Sequence, residues 1–260
     1  MEQMMNRNLS LIMILTILSI PLSPQSPYRL SYTVDLPLAG AAMAAFGGSL
    51  AAESTSGEQP SEASINPLDR MMIYPYSSGL DNLGTVLSCT ALTLPGIAVL
   101  AGETASERLV TYAVMYAEAF LLTGGIKDLT KAGISRWRPY TYEAGFEPAE
   151  DDDYDNSFPS GHTAYAFLGA SFLSATLKAE FPDQSWRVPV SIAAYGLAAG
   201  TGALRIASGE HFITDVTAGA LLGSAVGWLV PQLHEERAPG ESGPAAVLPT
   251  GTGLMFSFRL

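Results

Sequence analysis

Three short stretches of this chain carry residues that could do chemistry on an anion. In "RIASGEHFITD" Arg205 is followed six residues later by His211 and four further on by Asp215. On a helix, residues four apart share a face, so the carboxylate of Asp215 can meet the His211 imidazole. A carboxylate there sets the tautomer and raises the basicity of the opposite ring nitrogen, which suits a nucleophile. In "SFPSGHTAY" the residues Pro159, Ser160, Gly161 and His162 open a long apolar segment. The first turn of a helix has unpaired N–H groups that attract anions. Gly161 lets the backbone approach closely, Ser160 adds a hydroxyl donor, and His162 can give a proton to a leaving oxygen. In "KAGISRWRP" Lys131 and Arg138 supply the positive charge that phosphate oxygens require.

Each stretch has a plainer explanation when taken alone. His162 could be a polar residue at a helix start, His211 and Asp215 a structural pair, and Lys131 and Arg138 a solvated or membrane-flanking cluster. Their meeting at one end of a set of helices is what points to a phosphate site. Ser208-Gly209 reads as the break between two helices, with Arg205 closing one and His211 opening the next.

The elements that must position these residues are six apolar runs: Leu36 to Ala52, Leu83 to Gly102, Leu109 to Ile126, Gly161 to Leu177, Val188 to Leu204 and Phe212 to Val230. Their 17 to 20 residues suit helices and exceed ordinary strands. Ala and Gly are frequent, so helix backbones can come close, as in membrane bundles. The expected fold is all-α, a bundle of about six helices associated with a membrane. Lys131 and Arg138 are expected to follow the third helix. Charged residues are 15% of the chain against 48% apolar, a deficit that also favours a membrane.

The expected organisation is a signal peptide or anchor over 1–26, a helical domain over 27–237 and a Pro/Gly-rich tail over 238–260. Arg7 followed by Leu9 to Ile20 has the pattern of an export signal. If that segment and all six runs crossed a membrane, Lys131 would face the cytoplasm; the loops hold too few Lys and Arg to fix orientation. The alternating Leu254, Phe256, Phe258 and Leu260 suggest a short terminal strand for which no partner edge is evident. Glu118, inside an apolar run, is expected to pair with a neighbour or face a polar seam. His234, beside Glu235, Glu236 and Arg237, reads as exposed helix-end decoration. The acidic run Glu150 to Asp155 reads as a solvated loop without calcium-loop spacing.

Taken together, K-x6-R-P, P-S-G-H and R-x5-H-x3-D resemble the three-part signature of the type 2 phosphatidic acid phosphatase (PAP2) superfamily. That superfamily also includes bacterial non-specific acid phosphatases and vanadium haloperoxidases. The resemblance spans roughly residues 84 to 232; the third block departs from the usual Ser-Arg opening, with Leu204 before Arg205. It implies phosphate binding by Lys131, Arg138, Ser160, Gly161 and Arg205. It also implies attack on phosphorus by His211, oriented by Asp215, and protonation of the leaving alcohol by His162. A phosphohistidine intermediate follows, with no metal and no cofactor.

The expected function is a phosphatase of the cell envelope, in a bacterial inner membrane or the periplasm, acting on phosphate monoesters or pyrophosphates, lipid-linked ones first. A soluble periplasmic acid phosphatase is the alternative, and a vanadium-dependent haloperoxidase a further one. A net charge of −12 without a basic cluster excludes a nucleic-acid partner. The lone Cys89 excludes an intrachain disulfide, and three histidines make a histidine-rich metal centre improbable.

Overall fold

The computed structural model describes residues 26–51, 59–101, 106–146, 153–236, 245–250 and 253–258. Among the described residues are six long helices and one short helix: α1 Tyr32–Ala51, α2 Pro67–Arg70, α3 Ser78–Ala101, α4 Ser106–Gly133, α5 Gly161–Glu180, α6 Arg187–Ala207 and α7 Ile213–His234. The six apolar runs each fall within a long helix, with shifts at the ends. The largest shift is in α4. It continues past Ile126 through "KDLTKAG", so Lys131 sits in its last turn rather than after it. A charged, amphipathic end extends a helix beyond its apolar stretch without breaking its hydrogen bonds.

Long helices consecutive in the chain alternate in direction. Arg108 at the start of α4 bonds Glu180 at the end of α5 at 2.6 Å. At the other end, the start of α5 meets the start of α7, where Ser160 N donates to Asp215 O at 3.1 Å. The helix α1 begins beside the end of α7, where Arg29 N donates to His234 O at 2.9 Å. The C-terminal ends of α1, α4 and α6 therefore share one end of the bundle with the N-terminal ends of α3, α5 and α7.

Helix α5 is the centre, with Leu168, Phe172 and Leu173 among its buried residues. One cluster joins Leu168 and Phe172 to Tyr112, Met115, Val226 and Val230, and another joins Leu173 and Leu177 to Ala91, Ala194 and Ala198. The close approach of α7 to α5 depends on a stripe of glycines four residues apart. A Cβ on Gly219, Gly223 or Gly227 would run into the backbone oxygens of Ser160, Ala164 and Leu168 in turn. Successive turns of α7 thus meet successive turns of α5 with no side chain between, the small-residue contact that membrane helices use. Gly223→Ala is expected to cost on the order of 3 kcal/mol of stability by forcing the helices apart. The apparent melting temperature in detergent measures this, with Gly196→Ala, whose Cβ would meet nothing within 4 Å, as the unchanged control.

Outward faces are apolar. Met43, Leu50, Val86, Ile97, Ile192 and Leu221 are each more than half exposed, far more apolar surface than a water-soluble monomer leaves open. Among the described residues, five helices (α1, α3, α4, α6 and α7) are long and apolar enough to cross a bilayer. The chain is a membrane protein with an all-α bundle. The expected N-terminal signal lies outside the described residues, apart from Ser26.

Two sequence expectations are corrected. The terminal strand has a partner: β1 Ala245–Thr250 pairs antiparallel with β2 Gly253–Phe258, with Val247 opposite Phe256. The partner was hidden in a Pro/Gly-rich tail, where Pro249 argues against a strand. His234 is not exposed decoration, since it is 2% exposed and faces Asp35 and Glu118. The last turn of α7 packs inwards because the chain before α1 lies against it.

Candidate active site

The three stretches meet at the bundle end where α3, α5 and α7 begin. Arg138 follows α4 and precedes a 3-10 turn over Pro139–Tyr142. Its Nε donates to Asp153 O at 2.6 Å and its Nη2 to Asp153 Oδ2 at 2.7 Å, while Nη1 pairs with Glu210. Arg205, 3% exposed near the end of α6, pairs with Asp81 of α3 and reaches Glu210 Oε2 at 3.0 Å. Glu210 thus joins Arg138 to Arg205, immediately before His211 in the chain. Lys131 Nζ donates to Asn156 O at 2.6 Å. The acidic run is therefore no purely solvated loop. Its residues 153–155 fold over the cations, with Arg136 N donating to Asp155 O at 2.7 Å; residues 150–152 lie outside the described residues.

Gly209 makes the turn that delivers Glu210 and His211. Its φ of +77° suits glycine, and a Cβ there would overlap the Tyr74 carbonyl. His211 lies in the extended segment between α6 and α7, its backbone N donating to Arg205 O at 3.1 Å. This differs from the expected helical pairing with Asp215. The helix starts only at Ile213, and His211 Nδ1 lies 3.9 Å from Asp215 Oδ2, beyond a hydrogen bond. Ser157 fills the gap: its hydroxyl is 3.4 Å from His211 Nδ1 and donates to Asp215 Oδ2 at 2.6 Å. Asp215 is drawn away because the same oxygen caps α7, accepting from Phe212 N at 2.8 Å. Burial holds the His211 imidazole neutral, pushed down to about 3.

His162 sits in the first turn of α5. Its Nε2 is 3.1 Å from Thr85 Oγ1, and Ser88 Oγ donates to its carbonyl at 2.9 Å, so two hydroxyls of α3 fix the residue. Burial, then the nearby Arg205 charge, lowers it to about 4, with Arg138 and Lys131 acting in the same direction. The charges of Arg205 and Arg138 also reach His211. Both imidazoles and the two arginines thus lie at the same end of the bundle. The Ser160 hydroxyl points instead to Thr163 Oγ1, at 2.9 Å in a fully buried position. A Cβ on Gly161 would press on the Lys127 side chain at 3.0 Å, which places Lys127 over the α5 N-terminus.

Beneath His211 and Asp215 lies a network absent from the sequence expectations. Arg136 pairs with Asp215 and with Asp69, reaching Asp69 Oδ2 at 2.6 Å. Asp69, fully buried in α2, also accepts from Thr214 N at 3.1 Å and Thr214 Oγ1 at 2.6 Å. The Arg136 guanidinium lies 4.6 Å from the Phe212 ring centroid. The signal for Arg136 lay inside the same "SRWRP" stretch, two residues before Arg138. Asp69, Ser157, Thr85 and Lys127 carried none, because their neighbours are remote in the chain or unremarkable in type.

A helical bundle with basic and imidazole groups gathered at one end defines a class, and sequence comparison names it: residues 109–239 match the PAP2 superfamily. The chain belongs to that family. It is similar to the lipid A 1-phosphatase of Porphyromonas gingivalis, at 35% identity over 108 residues, covering 42% of this chain and 20% of that protein. It is also similar to the probable diacylglycerol pyrophosphate phosphatase 1 of Schizosaccharomyces pombe, at 34% identity over 111 residues, 41% of this chain and 36% of that one. The match thus spans well under half of either relative's length. Among solved structures, the transmembrane PAP2 type phosphatidylglycerolphosphate phosphatase of Bacillus subtilis superposes with a TM-score of 0.39 at 22% identity, covering 77% of this chain and 94% of that one.

Proposed function

We propose that the protein is a phosphatase of lipid-linked phosphate monoesters or pyrophosphates, working through a phosphohistidine and without a catalytic metal. The observation that carries this is the gathering of Lys131, Arg138 and Arg205 around two imidazoles at one bundle end. The family membership and the similarity to two lipid phosphatases support the same reading.

In this mechanism the phosphoryl oxygens displace Glu210 and Asp81 from the arginines and take charge-assisted bonds from Arg138, Arg205 and Lys131, with the Gly161 N–H. His211 Nδ1–H donates to Ser157, which donates to Asp215, so Nε2 carries the lone pair. That nitrogen attacks phosphorus, and the P–O bond to the leaving group breaks. His162 supplies the proton to the departing oxygen; water then attacks the phosphohistidine, His162 takes its proton, and phosphate leaves. Three cations and a helix end stabilise the spread charge that a metal carries in other phosphoryl-transfer sites.

Substrate at headgroup level suits the surroundings. Tyr76, Tyr140, Phe146, Tyr154 and Trp137 form a chain of ring contacts around the mouth, with centroids 4.6–6.3 Å apart. Amphipathic rings of this kind gather at membrane interfaces. Phosphate release from phosphatidic acid, diacylglycerol pyrophosphate and a water-soluble aryl phosphate, in detergent without added divalent cations, tests the reading. Faster turnover of the lipids supports it; turnover of the aryl phosphate alone points to a non-specific acid phosphatase, and no phosphate release from any of them overturns it.

The two imidazoles also set a pH dependence. The productive free enzyme needs His211 neutral, which holds above about 3, and His162 protonated, which holds below about 4. The fraction in that form falls as pH rises above both values. kcat/KM is therefore expected to climb as pH drops from 8 to 5, and a profile that declines over that range contradicts the assigned roles.

A further inference from the structure

At the bundle end opposite the phosphate site, three helices bring Asp35, Glu118 and His234 together. Asp35 lies in the first turn of α1, Glu118 within α4 and His234 in the last turn of α7. His234 Nε2 is 2.9 Å from Asp35 Oδ1 and 3.3 Å from Glu118 Oε2, and the ligand atoms of all three lie within 4.8 Å of one another. His234 is 2% exposed and Glu118 7%.

Hydrogen bonding limits what can balance this group. His234 Nδ1 faces Val230 O at 2.9 Å and must donate to it, since a carbonyl only accepts. A neutral ring then turns the Nε2 lone pair towards two carboxylates. A proton on Nε2 would serve Asp35 alone; Glu118 Oε2, buried and aimed into the cluster, has no hydrogen-bond partner among the described residues. A buried acceptor left this way is costly. One cation among the three atoms satisfies all of them, and two carboxylates with a neutral imidazole balance a divalent ion.

We propose that Asp35, Glu118 and His234 form a site for a divalent transition-metal ion of the zinc type, clamping α1, α4 and α7. Bonds of about 2.0–2.2 Å to tetrahedral nitrogen and oxygen ligands set those ligands roughly 3.3 Å apart, close to the 2.9 and 3.3 Å from Nε2 to the two carboxylate oxygens. The bond from Nδ1 to a backbone carbonyl is the outer contact that commonly orients a metal-binding histidine. The Asp35 side chain, 22% exposed, gives the entry path and room for water as a fourth ligand.

The test uses the full chain in detergent, stripped with a chelator and titrated with Zn²⁺, and separately with Co²⁺ as a spectroscopic probe. One Zn²⁺ per chain, a melting temperature that rises with Zn²⁺, and visible Co²⁺ bands of a nitrogen–oxygen site are expected. Glu118→Gln should weaken Zn²⁺ binding at least about tenfold and abolish the bands; Asp35→Asn, at the more exposed edge, is the second variant should the first fail to fold. His211→Ala should leave both readouts unchanged, which separates this site from the phosphate site. Zn²⁺ binding that is absent from the wild type, or equal in the wild type and both carboxylate variants, overturns the proposal and leaves an ion pair held by a proton.

Discussion

Replacing His211 by Ala is expected to abolish phosphate release, with kcat falling on the order of 10⁴-fold or more while the protein stays folded. A nucleophile cannot be bypassed by its neighbours. Arg138 and Arg205 would still bind the anion, but His162 is fixed by Thr85 and Ser88 in the first turn of α5, placed to move a proton. Folding should survive because the bond from His211 N to Arg205 O at 3.1 Å remains when the buried side chain is shortened. Quenching wild-type turnover in base should trap phosphate on His211, since phosphohistidine is labile to acid and stable to base. Turnover by a folded His211→Ala protein near the wild-type rate would remove the phosphohistidine from the scheme.

The second large effect is expected away from the reacting atoms. Arg136→Met leaves Asp69 and Asp215, both with fully buried side chains, without their shared cation. Breaking a buried pair by removing one partner costs about 3–5 kcal/mol, enough to unfold a marginal bundle. The loss should depend on pH in a defined direction. Burial alone would raise the Asp69 carboxyl, but hydrogen bonds from Thr214, Arg136 and Asn66 outweigh it and hold the group below its ordinary value. A carboxylate depressed on folding stabilises above its unfolded pKa, and that stability fades as pH falls. Without Arg136, Asp69 takes up a proton more readily. The deficit of the variant against wild type should therefore be widest near pH 7 and narrow towards pH 4, as thermal melts at a series of pH values would show. An equal deficit at every pH would mean that Arg136 acts only by packing on Phe212.

What could be read from the chain follows the range over which each signal acts. Apolar runs of helical length located the six long helices, five of which are long and apolar enough to cross a bilayer, which imposes that length on each helix independently. Lys131, Arg138, His162, Arg205, His211 and Asp215 stood out because their spacing is local to three stretches. Arg136 stood two residues from Arg138 and looked the same in type; only the fold turns one towards Glu210 and the other towards Asp69 and Asp215. Asp69 sits 67 residues from Arg136, in a one-turn helix within a polar loop. Ser157 lies in the same stretch as His162, yet its place between His211 and Asp215 depends on where α7 begins. The burial of His234 is hidden for a related reason: "HEER" after an apolar run normally meets water, and only the chain before α1 buries it.

Glu210 bridges Arg138 and Arg205, Asp81 pairs with Arg205 and Asp153 with Arg138. With Lys131 alongside, the resting pocket carries three positive and three negative groups, so it behaves as a small ion exchanger already loaded with the protein's own acids. An incoming anion must out-compete carboxylates held on the same backbone. Chloride, with one charge and no geometry to match two forks, offers less than it displaces. A phosphate dianion offers more, so such a pocket would stay closed to the common salts of its surroundings yet open to the phosphorylated group of the proposed substrate.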